Sequence, residues 1–182
     1  ISCPNVHAGM QFAVAGDLAA EVTAAVKAAT ALPVMVKLSP NVTDIVPIAL
    51  AVAEAGADAV SLINTLVGMV IDLKAHRPLL GAITGGLSGP AIMPVALRLV
   101  YQVALAYREA GIRDVPLVGI GGISSTEDAL QFLMAGATAI QVGTATFVNP
   151  GASVAIVEGL ERFARQEGLT DLTSIVGAAL PA

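Results

Sequence analysis

The chain has 182 residues, of which 9 are Lys or Arg and 14 are Asp or Glu, giving a net charge of -5 and a pI near 4.8. Gripping nucleic-acid phosphates takes clustered cations, so this acidic, thinly charged chain is not a nucleic-acid binder, and a small molecule or another protein is the expected partner. Hydrophobic residues reach 55% with only 3% aromatics and no Trp, and charges interrupt the long apolar stretches, so the composition predicts the Ala/Val/Leu/Ile core of a helix-covered parallel sheet and no membrane span.

Ile1 reads as the end of a strand and is not a methionine, so further residues are expected upstream. "DLAAEVTAAVKAAT", residues 17–30, predicts a helix begun at Asp17, after which Pro33 introduces the buried strand "PVMVKLSP". A second helix is predicted from Thr43 to Gly56, with Pro47 in its first turn and Gly56 as a left-handed cap, followed by the strand "ADAVSLIN". Pro90 opens a long helix to about Glu109, "DVPLVGIGG" reads as the next strand, and Ser124 with Glu127 predicts a capping box for the helix after it. "LMAGATAIQVGT" repeats the Ala-Gly-Ala joint of "AEAGADAVSLIN", so the two helix-to-strand joints are expected to be built alike. A short helix begins near Thr144, and a last helix spans about Ser153 to Glu167. Four strands alternating with helices, plus the stub at Ile1, imply right-handed crossovers in a parallel sheet. No linker divides the chain, and either a small open sheet or the second half of a (β/α)8 barrel fits.

In both architectures functional groups gather after the carboxyl ends of the strands. Those positions hold Cys3 and Asn5, then Lys37, then Asn64 and Thr65, then Gly121 and Gly122, then Gly143 and Thr144. Cys3 is the only cysteine; it closes no disulfide within the chain, no Cys/His cluster has metal-ligand spacing, and no metal site is expected. It is either a small buried hydrophobe or a reactive loop thiol. "VGIGGISS" lacks the third glycine of the dinucleotide fingerprint, since Ser124 stands there, and no phosphate-binding P-loop sequence occurs. What survives is a phosphate cradle in the last two strand-end loops, formed by backbone N–H groups at Gly122 and Thr144, against the plainer reading of turn glycines. Lys37 either snorkels to solvent or places its ammonium in the mouth of the sheet, where it would stabilise negative charge on a cofactor such as a reduced flavin. Asn5, Asn64 and Thr65 offer neutral donors and acceptors that match a planar pyrimidine or amide, or else serve as turn residues.

"SCPNV", "VKLSPNVTDI", "LINTLVGMVIDL", "TGGLSGPAIMPVALRLVYQV", "VGIGGI" and "VGTATF" together resemble the carboxyl-terminal half of class 1 dihydroorotate dehydrogenases, especially the class 1B catalytic subunit, over nearly the whole chain. The resemblance implies an α/β fold in which residues 1–182 are the second half of an FMN-binding TIM barrel whose amino-terminal half is not in this chain. It implies FMN-dependent oxidation of (S)-dihydroorotate to orotate in de novo pyrimidine biosynthesis. Cys3 would be the base that takes the C5 proton while hydride passes from C6 to FMN. A free thiol has a pKa of about 8.5, so its thiolate needs polar neighbours near neutrality. By the same resemblance Lys37, Ile63, Gly89, Gly121, Gly122, Gly143 and Thr144 contact FMN, the last four around its phosphate. Asn64 and Thr65 would hold the substrate, and Asn5 would also contact it.

The implied partners are a second catalytic subunit in a homodimer and an electron-transfer subunit carrying FAD and an iron–sulfur cluster, with NAD⁺ as final acceptor. The lone cysteine cannot supply the roughly four thiolates a cluster needs. A single unpaired thiol and no visible secretory feature give cytoplasm as the expected location. Two departures from the family stand out. The first half of the barrel is absent, so the fragment alone is expected to be inactive, and Ala82 and Ile83 stand where relatives often carry polar residues. The rival readings are a fumarate-dependent class 1A enzyme, a dihydropyrimidine dehydrogenase-like domain, and a non-catalytic flavin-binding or interaction module.

Overall fold

The computed structural model describes residue 1 and residues 15–181. Helix α1, Gly16–Ala29, carries Asp17 in its first turn, where a carboxylate suits the positive end of the helix dipole. Strand β1, Met35–Leu38, alternates exposed and buried residues, so Met35 and Lys37 share one face and Val36 and Leu38 the other. Helix α2, Val46–Glu54, starts later than the predicted Thr43, because Asp44 Oδ1 accepts the Val46 N–H at 3.0 Å and ends the loop there. Strand β2, Ala59–Leu62, follows.

The chain then leaves the alternating pattern. Strands β3, Leu66–Gly68, and β6, Gly85–Leu87, pair antiparallel, and between them β4, Ile71–Asp72, pairs with β5, Arg77–Pro78. None of these is predicted, because Gly68, Gly85 and Gly86 interrupt the alternation that marks a strand. A 3₁₀ turn at Pro90–Ile92 leads into α3, Met93–Glu109. Then come β7, Leu117–Ile120, α4, Thr126–Met134, β8, Ala139–Gln141, α5, Ala145–Val148, and α6, Ala152–Gln166.

The main sheet has the order β1-β2-β7-β8 with every pairing parallel. Parallel strands alternating with helices give the predicted α/β class, in the arrangement of part of a (β/α)8 barrel. Ile1 itself lies in no strand, so the expected strand stub is not seen at that residue. Val36, Leu38, Val60, Leu62 and Leu117 are buried on the helix side with Ile48, Val52, Val100, Val103 and Phe132. Each such side chain contributes about 1.5–3 kcal/mol by leaving water. Gly119 sits among them without a side chain, and a Cβ there would come within 2.5 Å of the Phe132 ring.

Three local expectations are resolved by hydrogen bonds. At Gly56, φ is +94°, the Gly56 N–H donates to Ala53 O at 3.0 Å and the Ala57 N–H to Val52 O at 3.1 Å. At Gly136, φ is +114°, and the same pair of bonds runs from Gly136 to Leu133 O at 2.9 Å and from Ala137 to Phe132 O at 3.0 Å. These are Schellman caps, and the two joints are built alike, as their shared sequence predicts. The capping box of α4 lies one residue later than predicted: Ser125 is the cap and Asp128, not Glu127, its partner. Because the helix begins at Thr126, the third helical position falls on Asp128, whose carboxylate accepts N–H groups from both Ser124 and Ser125.

The segment Pro90–Glu109 is long and apolar enough to cross a bilayer by length and composition, although Arg98 interrupts it. Here Ala96, Leu99, Val100, Val103, Ala104 and Tyr107 of this segment are buried, and Tyr107 donates its hydroxyl to Ala49 O at 2.9 Å, as a core helix docked on its neighbours does.

Candidate functional site

The carboxyl ends of β1, β2, β7 and β8 open on a cleft of about 360 Å³. Lys37, Ile63, Asn64, Thr65, Gly89, Gly121, Gly122, Gly143 and Thr144 all line it, which brings together every sequence-predicted site residue among the described ones. Cys3 and Asn5 lie outside the described residues.

Lys37 reaches the cleft because strand alternation turns it away from the helices; its register partner on β2 is Ser61. Among the described residues it takes part in no ion pair, the pairs there being Lys27 with Asp58 and Arg165 with Glu161. Its charge is therefore available to an anionic or polarisable ligand.

The loop after β2 is held by backbone: the Ile63 N–H donates to Ile120 O and the Asn64 N–H to Leu38 O, both at 2.9 Å. Asn64 and Thr65 are half-buried, so their polar groups meet the cleft from a fixed base. An unpredicted residue stitches this loop to its neighbour. Asn41 donates from Nδ2 to Thr65 O at 3.0 Å and to Ser39 Oγ at 3.2 Å, and its Oδ1 accepts the Val67 N–H at 2.8 Å.

Elsewhere around the cleft the chain approaches itself without side chains. Gly122 has φ +76°, and a Cβ on it would lie 2.6 Å from Met93 Cβ and 2.8 Å from Gly89 O. Gly89 and Gly121 also have positive φ, +86° and +132°. Thr144 donates its hydroxyl to Ser88 Oγ at 2.8 Å, tying the loop after β8 to the entrance of α3. The N–H groups of Gly122, Gly143 and Thr144 have no acceptor among the described residues. Unpaired amides on glycine-rich loops of one cleft suit a phosphate. Ile63, Ile92, Ile120 and Ile123 supply apolar walls to the same cleft. The arrangement therefore gathers in one cleft unpaired backbone amides suited to an anion, apolar walls, a lysine, and a carboxamide with a hydroxyl.

Sequence reading missed Ser88, Gln141 and Asn149, which also line the cleft, and Asn41 behind it. Gln141 was accessible from strand alternation alone, since it stands in register with Ile120 on the cleft side of the sheet. For Asn41 the signal was the recurrence of Pro-Asn-Val: Pro40-Asn41-Val42 repeats the Pro4-Asn5-Val6 of the opening loop.

A sequence model of the family described as "Dihydroorotate dehydrogenase" matches residues 1–164. The chain is 57% identical over 179 residues to the "Dihydroorotate dehydrogenase B (NAD(+)), catalytic subunit" of Trichlorobacter lovleyi, covering 98% of this chain and 57% of that protein. It is 56% identical over 179 residues to the protein of the same name from Geobacter metallireducens, with coverage of 98% and 57%. The Desulforamulus reducens protein of that name is 55% identical over 181 residues, again with 98% and 57% covered. The chain thus spans 57% of the length of these relatives.

Proposed function

Because the chain belongs to the dihydroorotate dehydrogenase family, we propose that the protein of which it forms part carries FMN and oxidises (S)-dihydroorotate to orotate in pyrimidine biosynthesis. The observation that carries this reading is the convergence of Lys37, Asn64, Thr65, Gly122 and Thr144, from separate strand-end loops, on one cleft. The residues present fit a phosphorylated flavin: unpaired amides at Gly122, Gly143 and Thr144 suit its phosphate, and the isoleucine-lined walls suit its apolar ring.

When bound, FMN supplies the acceptor for the hydride leaving C6 of the substrate. Gly121, Gly122, Gly143 and Thr144 would hold the phosphate, Ile63 and Gly89 would contact the rest of the cofactor, and the positive charge of Lys37 would stabilise electron density gained on reduction. Asn64 and Thr65 orient the dihydropyrimidine ring, whose alternating N–H and C=O edge a carboxamide and a hydroxyl can match. Cys3 removes the C5 proton, and Asn5 is a further substrate contact. A positioned base of this kind contributes roughly 10²–10⁴-fold.

The amino-terminal half of the barrel completes the pocket, so this segment alone is inactive, and the complete subunit pairs with a copy of itself in the cytoplasm. The relatives are named as NAD(+)-linked catalytic subunits, which supports a partner subunit. That partner carries FAD and an iron–sulfur cluster and passes electrons to NAD⁺, since one cysteine cannot ligate a cluster.

The test uses the full-length subunit. Anaerobic dihydroorotate should bleach its flavin absorbance, and NAD⁺ should be reduced only after the partner is added. No bleaching would refute the dehydrogenase reading. Rapid turnover with fumarate alone would replace NAD⁺ as the acceptor.

A further inference from the structure

We propose that Asn41 is a positioning residue that sets substrate affinity by locking the segment from Asn64 to Val67; this rests on the reading of Asn64 and Thr65 as substrate contacts. Its carboxamide donates to Thr65 O at 3.0 Å and accepts from the Val67 N–H at 2.8 Å. The C=O of one residue and the N–H of the residue two further on are the groups that a neighbouring parallel strand engages with a single residue. The Asn41 side chain thus takes the place of a strand along the free edge of β3, just past Leu38 and Leu62, where the backbone pairing of β1 with β2 has ended. The far edge of β3 is paired with β6, where Val67 stands opposite Gly86.

Gly86 completes the lock. A Cβ on it would fall within 2.6 Å of Thr65 Cβ and closer still to the hydroxyl, so the Thr65 side chain occupies space that any other residue at 86 would need. Asn64 is fixed through its N–H on Leu38 O at 2.9 Å. Asn41 is itself braced by Ser39, which is 3% exposed and accepts the Asn41 N–H on Oγ at 3.1 Å. The loop after β1, which carries no predicted substrate contact, therefore dictates where Asn64 and Thr65 stand.

The two ends of the carboxamide can be separated. Asn41→Asp keeps an acceptor for the Val67 N–H but turns a carboxylate oxygen toward Thr65 O, replacing attraction by repulsion. Asn41→Ala leaves both backbone groups without their partner. Both variants, Asn64→Ala and the Asn41→Ala/Asn64→Ala double variant would be made in the full-length, FMN-loaded protein. Orotate binding would be followed by its perturbation of the flavin spectrum, alongside FMN content and the KM for dihydroorotate. The expected result is undiminished FMN content with an orotate Kd and a KM raised about tenfold, the scale of one lost hydrogen bond. Asn41→Ala should add little once Asn64 is already truncated, because both changes disable one unit. If Asn64→Ala weakens orotate and neither Asn41 variant does, the proposal fails while the site reading stands. If none of the variants moves orotate affinity, the substrate reading falls and the proposal with it. Loss of FMN or of folding in both Asn41 variants would make the residue merely structural and would also overturn it.

Discussion

Gly122→Ala, made in the full-length protein, tests whether the two glycine loops of the cleft are in rigid contact. The substitution demands φ +76° of an alanine, a left-handed conformation that costs a residue with a Cβ about 1–2 kcal/mol. The added Cβ would also sit 2.6 Å from Met93 Cβ, 2.8 Å from Gly89 O and 2.9 Å from Met93 Cα. Two of those atoms are backbone and the third is fixed to it, so no rotamer change relieves the overlap, and overpacking of this kind costs roughly a further 1–3 kcal/mol. The sum, about 2–5 kcal/mol, corresponds to a Tm lowered by roughly 4–20 °C in a domain of this order of size. Relief requires the Gly89 and Gly122 loops to part, which opens the cleft, so the variant should also lose FMN on purification. Gly143→Ala is the control, since a Cβ there meets nothing within 4 Å and folding stability should change by less than about 0.5 kcal/mol. Thermal melts of both variants and the ratio of flavin to protein absorbance decide it. A Gly122→Ala protein with full FMN and a Tm within about 1 °C of the parent would refute the argument.

Cys3→Ala in the full-length enzyme should retain FMN yet slow flavin bleaching by dihydroorotate by about 10²–10⁴-fold; stopped-flow traces at parental speed would remove the base assignment. Lys37→Ala should lower the reduction potential of the bound flavin, because a nearby cation favours the more negative form, and spectroelectrochemistry reads the shift. Asp58 accepts Lys27 Nζ and the Val34 N–H, both at 2.6 Å, and the Lys27 contact above all holds its carboxyl below its ordinary value of 3.8. Its stabilising contribution is therefore complete above the pKa of the unfolded chain and is lost as the pH falls through the lowered folded value. Asp58→Asn should accordingly be less stable than the parent near neutrality, with the gap closing below about pH 4, as paired denaturant titrations would show.

What the sequence disclosed and what it hid follow one physical division. Helices and parallel strands announce themselves by period and by their caps, so Gly56, Pro47 and the Ala-Gly-Ala joints mark boundaries close to those observed. Strand ends then locate the site, because any group just past a parallel strand's carboxyl end faces the same opening. That is how residues as separate as Lys37 and Thr144 were brought into one cleft. The antiparallel excursion was illegible since its strands are two or three residues long and owe their form to tertiary pairing more than to alternation. Asn41 was hidden for a related reason: its role lies in reaching residues 65 and 67 across space, and no local propensity encodes that reach. The slip from Ser125 and Asp128 to Ser124 and Glu127 shows how two adjacent serines and two adjacent acids leave the sequence signal one residue ambiguous.

The fit of Gly119 under Phe132 bears on how this chain can change over generations. Phe132 is fully buried and its ring fills the space a side chain at 119 would occupy, so neither position can drift by itself. A larger residue at 119 must await a smaller one at 132, and the intermediate with both small would carry a cavity beneath the strand that ends at Ile120, just before Gly121 and Gly122. The pair is thus an evolutionary ratchet placed directly under the cleft, and substitutions that reshape the ligand end of β7 have to enter through the loop, because the strand beneath it offers no single viable step.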